Sequence, residues 1–346
     1  MSEPPPGARP TLEAVAARAG VSRATASRVV NGGAGVRRPL VDKVRRAVDE
    51  LGYVPNHAAR SLVTRRTGAV AVIIAEPEIR IFSDPFFSQQ IRGISKELTA
   101  HDTQLVLLLL EGPGDYDRIA RYLAGGHVDG ALAFSLHTDD PIPAITRRAG
   151  IPTVYGGRPG WTSAADQQDV PYVDADNRGG AREAVRYLRE LGRRRIAHIA
   201  GPLDQTSAMD RLDGYRDVLM DEDPALLAEG AFTEESGARA MAELLERRPD
   251  LDAVFAANDL MAAGALRVLK ERGRSVPGDV AVVGFDDMDA VVGTTAPALT
   301  TVQQDIEGQG RLMARLLLRG LDRDREGSTA PASVITPTTL VRRDSA

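Results

Sequence analysis

"TLEAVAARAGVSRATASRVVNGG", residues 11–33, sets small apolar residues, three arginines and four hydroxyls into two helix-length pieces on either side of Gly20. Thr11 can cap a first helix, in which Leu12, Val15, Ala16 and Ala19 recur at i, i+3, i+4 and i+7. Gly20 permits the left-handed backbone of a tight turn. Ser22 can cap a second helix, Arg23–Val30, that buries Val21, Val29 and Val30, and Ala16 is small where the two helices must cross. A third helix follows Pro39, with Leu40, Val44, Val48 and Leu51 on one face and Gly52 at its end. Helix, glycine turn, helix and supporting helix make the helix-turn-helix arrangement. The plainer alternative is a small helical bundle with a basic face.

In that arrangement the second helix enters the major groove of DNA, its first residues nearest the bases. Arg23, Ala24, Ser27 and Arg28 then face outward. An arginine can donate two bonds to guanine O6 and N7, and Ala24 can offer only apolar contact, for instance to a thymine methyl. Ser22, Thr25 and Asn31 suit phosphates, which position the protein without specifying sequence, and Thr11 is also expected among the DNA-binding residues.

The stretch "ELGYVPNHAARSLVTRRTG", residues 50–68, follows. Pro55 breaks the chain, and Asn56 can cap a short helix over 57–63 that also carries Ala59 and Arg60. Such a piece is too short to be helical alone and should order only when docked. Leu62 would project from it, available to wedge between base steps in the minor groove. The alternative is a flexible linker with Leu62 packed on the body.

Charge agrees with a polyanion-binding head. The net charge of the 346 residues is −5, yet residues 1–66 carry +7, so the remainder holds −12. This asymmetry suggests a basic head on an acidic body. With 43% hydrophobic and 26% charged residues the composition is that of a globular protein, long enough for two or three domains. No apolar run approaches a membrane span. MSEPPPGARP lacks the features of a secretory leader. Cysteine is absent, which rules out disulfides and thiolate chemistry and fits a reducing cytoplasm.

TLEAVAARAGVSRATASRVVNG, followed by RAVDELGYVPNHAARSL, resembles the lactose-repressor/galactose-repressor (LacI/GalR) family of bacterial transcription regulators, with both motifs in order and in spacing. One departure is Ala26, where the family usually has valine; the missing methyl groups cost about 1 kcal/mol of head stability. The resemblance implies a homodimer reading a near-palindromic, CG-centred double-stranded operator, with paired Leu62 wedges kinking the central step.

From Gly68 onward strands and helices alternate. "AVAVIIAE", "QLVLLLLE" (104–111), "GALAFS" (130–135) and "PTVYGG" (152–157) read as buried strands, with helices near 86–98, 115–123 and 142–149. A second series starts at "PYVDAD" (171–176) and runs through "IAHIAG", "AVFAAND" and "VAVVGFDD". Continuous apolar strands joined by helices indicate parallel sheets covered on both faces, here two doubly wound α/β lobes. Ligands of such folds bind at the strand carboxyl ends, in the crevice. Asn258, Asp286 and Arg211 gather there, whereas Asp259 is expected to cap the following helix.

The resemblance extends over the body, in "SDPFFSQQIRGI", "VDGALAFS", "DNRGGAREAVRYLRELG" and "AANDLMAAGAL". It implies a periplasmic-binding-protein-like effector and dimerisation domain over 68–346. One lobe is expected at about 68–173 plus 294–322, and the other at 174–293 plus 323–346. Ahead of it lie a disordered tail (1–10), the helix-turn-helix head (11–55) and a hinge helix with linker (56–67). By resemblance Arg211, Asn258 and Asp286 hold the effector, while Phe86, Phe87 and Ile306 line the opposite wall. Where the family often has an Asp before the rim Arg-Pro, this chain has Gly157-Arg158-Pro159, which leaves room for a larger ligand.

A carboxylate, an amide and a guanidinium converging on one crevice suit a polyol, since each can bridge neighbouring hydroxyls. Trp161, the only tryptophan, falls where its face could stack on a sugar, although plain packing is the alternative. The overall pattern resembles family members that sense plant-derived oligosaccharides. Two other classes compete: a sugar-binding protein without a DNA role, and an enzyme on the same fold. Against the enzyme, the histidines at 57, 101, 127, 137 and 198 have no metal-ligand spacing, and GxSxG, Walker A and GxGxxG motifs are absent. Adjacent Asp286 and Asp287 should point apart. No cofactor or metal is expected.

Overall fold

The computed structural model describes residues 10–30, 35–54, 66–110, 112–160, 170–219, 223–323 and 333–346. The chain divides into two units, Met1–Thr67 and Gly68–Ala346.

In the first unit the described residues form α1 (Leu12–Ala19), α2 (Arg23–Val30) and α3 (Arg38–Leu51). Thr11 Oγ1 accepts the Ala14 N–H at 3.2 Å and Ser22 Oγ that of Thr25 at 3.1 Å, so hydroxyls satisfy an orphan donor at the start of each of the first two helices. Gly20 (φ 64°) and Gly52 (φ 60°) close α1 and α3 in the left-handed conformation. Pro39 occupies the second position of α3, where its missing N–H costs nothing. Eight-residue helices do not stand alone. Their support is a small core of Val15, Ala19, Val44 and Ala47, flanked by Val21, Val29, Val48 and Leu51. Ala26 is fully buried on α2.

The second unit holds two six-stranded sheets among its described residues. The first contains β1 (Ala69–Ile74), β2 (Gln104–Leu109), β3 (Gly130–Phe134), β4 (Thr153–Gly156), β5 (Tyr172–Ala175) and β11 (Val334–Thr336), in the order β11-β5-β4-β3-β1-β2 and parallel throughout. The second contains β6 (Ile196–Ala200), β7 (Leu227–Glu229), β8 (Ala253–Ala256), β9 (Ala281–Asp286), β10 (Thr300–Gln303) and β12 (Thr339–Val341). Its order is β12-β10-β9-β8-β6-β7, with only β12 antiparallel to its neighbour.

Helices cover both faces of each sheet, as parallel strands buried on both sides require. On the first sheet α4 (Glu78–Ser83), α5 (Pro85–Ala100) and α13 (Ile306–Arg323) take one face, and α6 (Pro113–Ala124) and α7 (Ile142–Arg148) the other. Helices α8 (Asn177–Glu190) and α9 (Thr206–Arg216) lie on one face of the second sheet; α10 (Glu234–Arg247) and α11 (Asp259–Glu271) lie on the other. The short α12 (Asp289–Val292) follows β9. Helices α5 and α13 approach closely because each is glycine at the crossing: a Cβ on Gly93 would overlap the Glu307 carbonyl, and one on Gly310 that of Gln90.

The lobe boundaries differ from those expected. "PYVDAD" contributes β5, which lies between β4 and β11 in the first sheet, and does not open the second. Residues 300–303, expected in the first lobe, pair with β9 in the second sheet, and Val334–Thr336, expected in the second lobe, pairs with β5. The chain thus crosses between lobes after β5, after β10 and between β11 and β12. Strands of three or four residues carry no local sign of which sheet they join; partners far along the chain decide it. No helix among the described residues is long and apolar enough to cross a membrane.

Candidate functional site

On α2, Arg23, Ala24 and Arg28 are exposed, as is Ser22 just before it, while Thr25 and Ser27 are half-buried. Arg23 Nε lies 2.6 Å from Glu13 Oε1 on α1, a pair open to solvent. The Glu13 carboxyl is held low, first by a backbone hydrogen bond and also by Arg23. Thr11 and Ser22 are occupied as caps but remain at the surface. Asn31, Asn56, Ala59, Arg60, Leu62 and Trp161 lie outside the described residues, as do residues 1–9.

In the second unit a cleft of about 780 Å³, counted to its open mouth, lies between the sheets. Phe86, Phe87, Arg211, Asn258 and Asp286 all line it. Phe86 and Phe87 open α5 and meet edge to face at 5.5 Å, with Phe87 stacked on Phe134. Arg211, buried on α9, donates from Nε to Asn177 Oδ1 (2.9 Å) and from Nη1 to the Ala257 carbonyl. Its Nη2 is 3.4 Å from Asp286 Oδ1, and its guanidinium lies 3.7 Å from the Phe285 ring centre.

Asp286 ends β9 with φ 107°, a strained value for a residue other than glycine. Such strain persists only where surroundings impose it, and it clusters at functional sites. Gln304 Nε2 donates to its Oδ1 at 2.6 Å, Gln309 Nε2 donates to Gln304 Oε1, and Gln309 also reaches Thr336. From Arg211 the network continues through Asn177 to Asp174. One hydrogen-bonded chain therefore runs through all three crossings. Asp287 points elsewhere, to Arg343 at 2.6 Å and Gln303 at 2.8 Å, so the two adjacent carboxylates do not form a working pair.

Burial sets the electrostatics of the cleft. It pushes the Asp286 carboxyl up, with Arg211 opposing, and pushes the Arg211 guanidinium down despite Asp286. Asp84 and Asp174 are each raised to about 6 by burial, and the charges of Asp286 and Asp210 respectively add to the effect.

Three expectations need correction. Asn258 is itself the cap of α11, its Oδ1 accepting from the Met261 N–H at 2.9 Å. Asp259 is fully buried and instead accepts from the Met288 N–H and Thr301 Oγ1. Either neighbour could cap; contacts distant in sequence assign the roles. Arg158 does not line the cleft: its guanidinium forks onto Asp210 of α9 (2.7 and 3.2 Å). Ile306 is buried behind Phe86, with Met288 and Val291, and does not form the wall itself.

Several contacts join the lobes. Thr206 Oγ1 donates to the Arg158 carbonyl at 2.7 Å, Gln205 Nε2 donates to Glu76 Oε1 at 2.9 Å, and His137 pairs with Asp204 at 2.8 Å.

Residues 11–56 match the model of the bacterial regulatory proteins of the lacI family, and residues 185–346 that of the periplasmic binding protein-like domain. The transcriptional regulator CelR of Thermobifida fusca is 49% identical over 341 residues, which are 97% of this chain and 98% of that one. The chain belongs to the lacI family. As a family member it is a DNA-binding transcriptional regulator. Its fold is similar to that of a solved complex of CelR with cellobiose (46% identity, TM-score 0.77, covering 98% of this chain and 100% of that one). It is also similar to the lac repressor dimer bound to operator and an anti-inducer (28% identity, TM-score 0.82, covering 98% and 99%).

Within this lacI-family chain the cleft contains residues that the sequence did not single out: Arg80, Asp84, Gln90, Asp174, Gln205 and Phe232 among them. The cluster of glutamines and aspartates in "VQQDIEGQG" and "VDADN" was the available signal for Gln304, Gln309, Asp174 and Asn177. For Arg80 and Gln90 the sequence carries no comparable signal.

Proposed function

We propose that this regulator is a homodimeric repressor of carbohydrate-utilisation genes that acts in the cytoplasm, where its operator is. A two-ring sugar of the cellobiose class, held between the lobes, sets its affinity for DNA. The observation that carries this reading is the chemistry of the cleft. Its carboxyls are raised and its buried guanidinium lowered, so further charge is disfavoured there. Phe86, Phe87, Phe134 and Phe232 line it together with side-chain donors and acceptors, as a neutral, hydroxyl-rich, flat-faced ligand requires. The likeness to CelR, solved with cellobiose, supports the same class.

In this reading Arg211, Asn258 and Asp286 grip hydroxyls, and Phe86 and Phe87 stack on the rings. Arg158 stabilises closure from outside the cleft, Ile306 backs Phe86, and Trp161 lies against the sugar. On DNA, Arg23, Ser27 and Arg28 meet base edges, Ala24 a thymine methyl, and Thr11, Ser22, Thr25 and Asn31 phosphates. Asn56, Ala59, Arg60 and Leu62 act at the minor groove. The linker enters the second unit directly at β1 of the first lobe, so movement of that lobe is what the operator-binding segment senses. This is allostery between two sites, with a typical coupling of about 1–3 kcal/mol.

The test is a thermal-shift and calorimetric series with cellobiose, glucose, maltose, ribose and a purine base. Cellobiose is expected to bind and stabilise the protein in proportion to its concentration. Binding of the purine alone, or of none of these, would overturn the reading.

A further inference from the structure

Four buried side-chain polar atoms among the described residues have no hydrogen-bond partner, and two of them, Arg80 Nε and Gln90 Oε1, belong to residues lining the cleft. Buried polar atoms are nearly always partnered, so two orphans in one cavity call for an explanation. Gln90 is only 2% exposed, and its amide nitrogen has just the weakly accepting Met313 Sδ at 3.0 Å. Arg80 sits on α4, its Nη1 paired with Glu76 at 2.6 Å. Its guanidinium lies against the rings of Phe87, from the first lobe, and Phe232, from the second, at 5.8 and 5.6 Å.

The cleft therefore holds polar groups of two kinds. Arg211, Asp286, Asn177 and Asp174 already bond one another. On the first-lobe wall, which also carries Asp84, Arg80 keeps an unused donor and Gln90 an unused acceptor. A buried donor and a buried acceptor without a protein partner, on residues that line the cleft beside aromatic rings, match a ring hydroxyl, which both donates and accepts.

We propose that Arg80 and Gln90 form a separate subsite that takes hydroxyls of the second sugar ring and gives the cleft its preference for two-ring over one-ring ligands. This rests on the sugar reading above. A one-ring ligand held by Arg211 and Asp286 leaves both atoms unpartnered, and a site built to hydrogen-bond a group discriminates against ligands that lack it.

The test measures dissociation constants of the full chain for cellobiose and for methyl β-glucoside, in the parent and in Gln90→Leu and Arg80→Gln. Gln90→Leu nearly preserves side-chain volume and removes the orphan acceptor. Each variant is expected to lose on the order of tenfold in cellobiose affinity, about one lost hydrogen bond to a buried partner, with little change for the glucoside. Equal losses for both ligands, or none for either, would overturn the subsite while leaving the sugar reading intact. Failure of the parent to bind any saccharide would overturn both. Gln90→Glu is the second variant should Gln90→Leu not fold: it keeps an acceptor, so it is expected to retain more of the cellobiose preference than Arg80→Gln, and the reverse order would contradict the proposal.

Discussion

His137 Nδ1, on the loop after β3, lies 2.8 Å from Asp204 Oδ2, ahead of α9, and so joins the two lobes across the cleft. The backbone N–H and hydroxyl of Thr138 both donate to the Asp204 carbonyl at 2.8 Å, which fixes the same junction. The neutral ring, with its proton on Nδ1, accepts from Gln205 through Nε2 at 3.1 Å. The protonated ring directs that nitrogen toward Glu76 Oε1, 3.7 Å away. Glu76 first, and then Asp204, raise the imidazole from its ordinary 6.5 to about 9, against an opposing contribution from burial.

Closure therefore takes up a proton. Parting the lobes removes Asp204 but leaves Glu76, which follows β1 in the same lobe as His137, so the ring keeps part of its upward shift and protonation favours the closed form through Asp204 alone. Cellobiose affinity should therefore fall as pH rises through about 9 and level off beyond it. Asp84 and Asp174, raised to about 6, titrate below that window. Calorimetry in buffers of different ionisation enthalpy measures the uptake directly. His137→Gln should remove the slope; an unchanged slope would assign it to another group.

Arg158 and Asp210 form a second interlobe junction, forked and partly buried. Arg158→Ala should weaken cellobiose binding by about 1 kcal/mol, roughly fivefold, after discounting for solvent access. Operator affinity without sugar should stay the same. Titration calorimetry and DNA anisotropy separate the two effects, and a loss of DNA binding alone would refute the role in closure.

Asp286→Asn is a sharper probe than alanine. Alanine would remove both the charge facing the buried Arg211 and the oxygen that accepts from Gln304, at about 3 kcal/mol or more, whereas asparagine removes the charge alone and keeps an acceptor. Asparagine keeps the shape and the backbone preference. At least a tenfold loss of cellobiose affinity is expected, with operator binding retained; undiminished sugar binding would remove Asp286 from the site.

In the head, Arg28→Ala should cost about 1–3 kcal/mol at one base position and relax the preference there. Uniform weakening over all operator variants would indicate a phosphate contact. Arg23, already paired with Glu13, should show the smaller effect.

Local signals carried the head and the strand-helix alternation. Thr11, Ser22, Gly20 and Gly52 act on backbone groups within a few residues, so their roles could be read directly. Sheet membership of β5, β10 and β11 could not be read, because each is settled by strands elsewhere in the chain. The same holds for Asn258 and Asp259: either could cap, and Thr301, 42 positions away, draws Asp259 inward. Arg80 and Gln90 become site residues only once α4 and α5 are folded against the second lobe, a relationship without a local pattern.

The central claim is that sugar in the cleft changes the hold on DNA. The most direct measurement is operator affinity of the full-length protein, by fluorescence anisotropy at about 150 mM salt, with and without saturating cellobiose. The operator would be the fragment recovered by selection from the source genome. A change of about 5–150-fold is expected with cellobiose. Equal affinity with and without cellobiose, in a protein shown to bind it, would contradict the account.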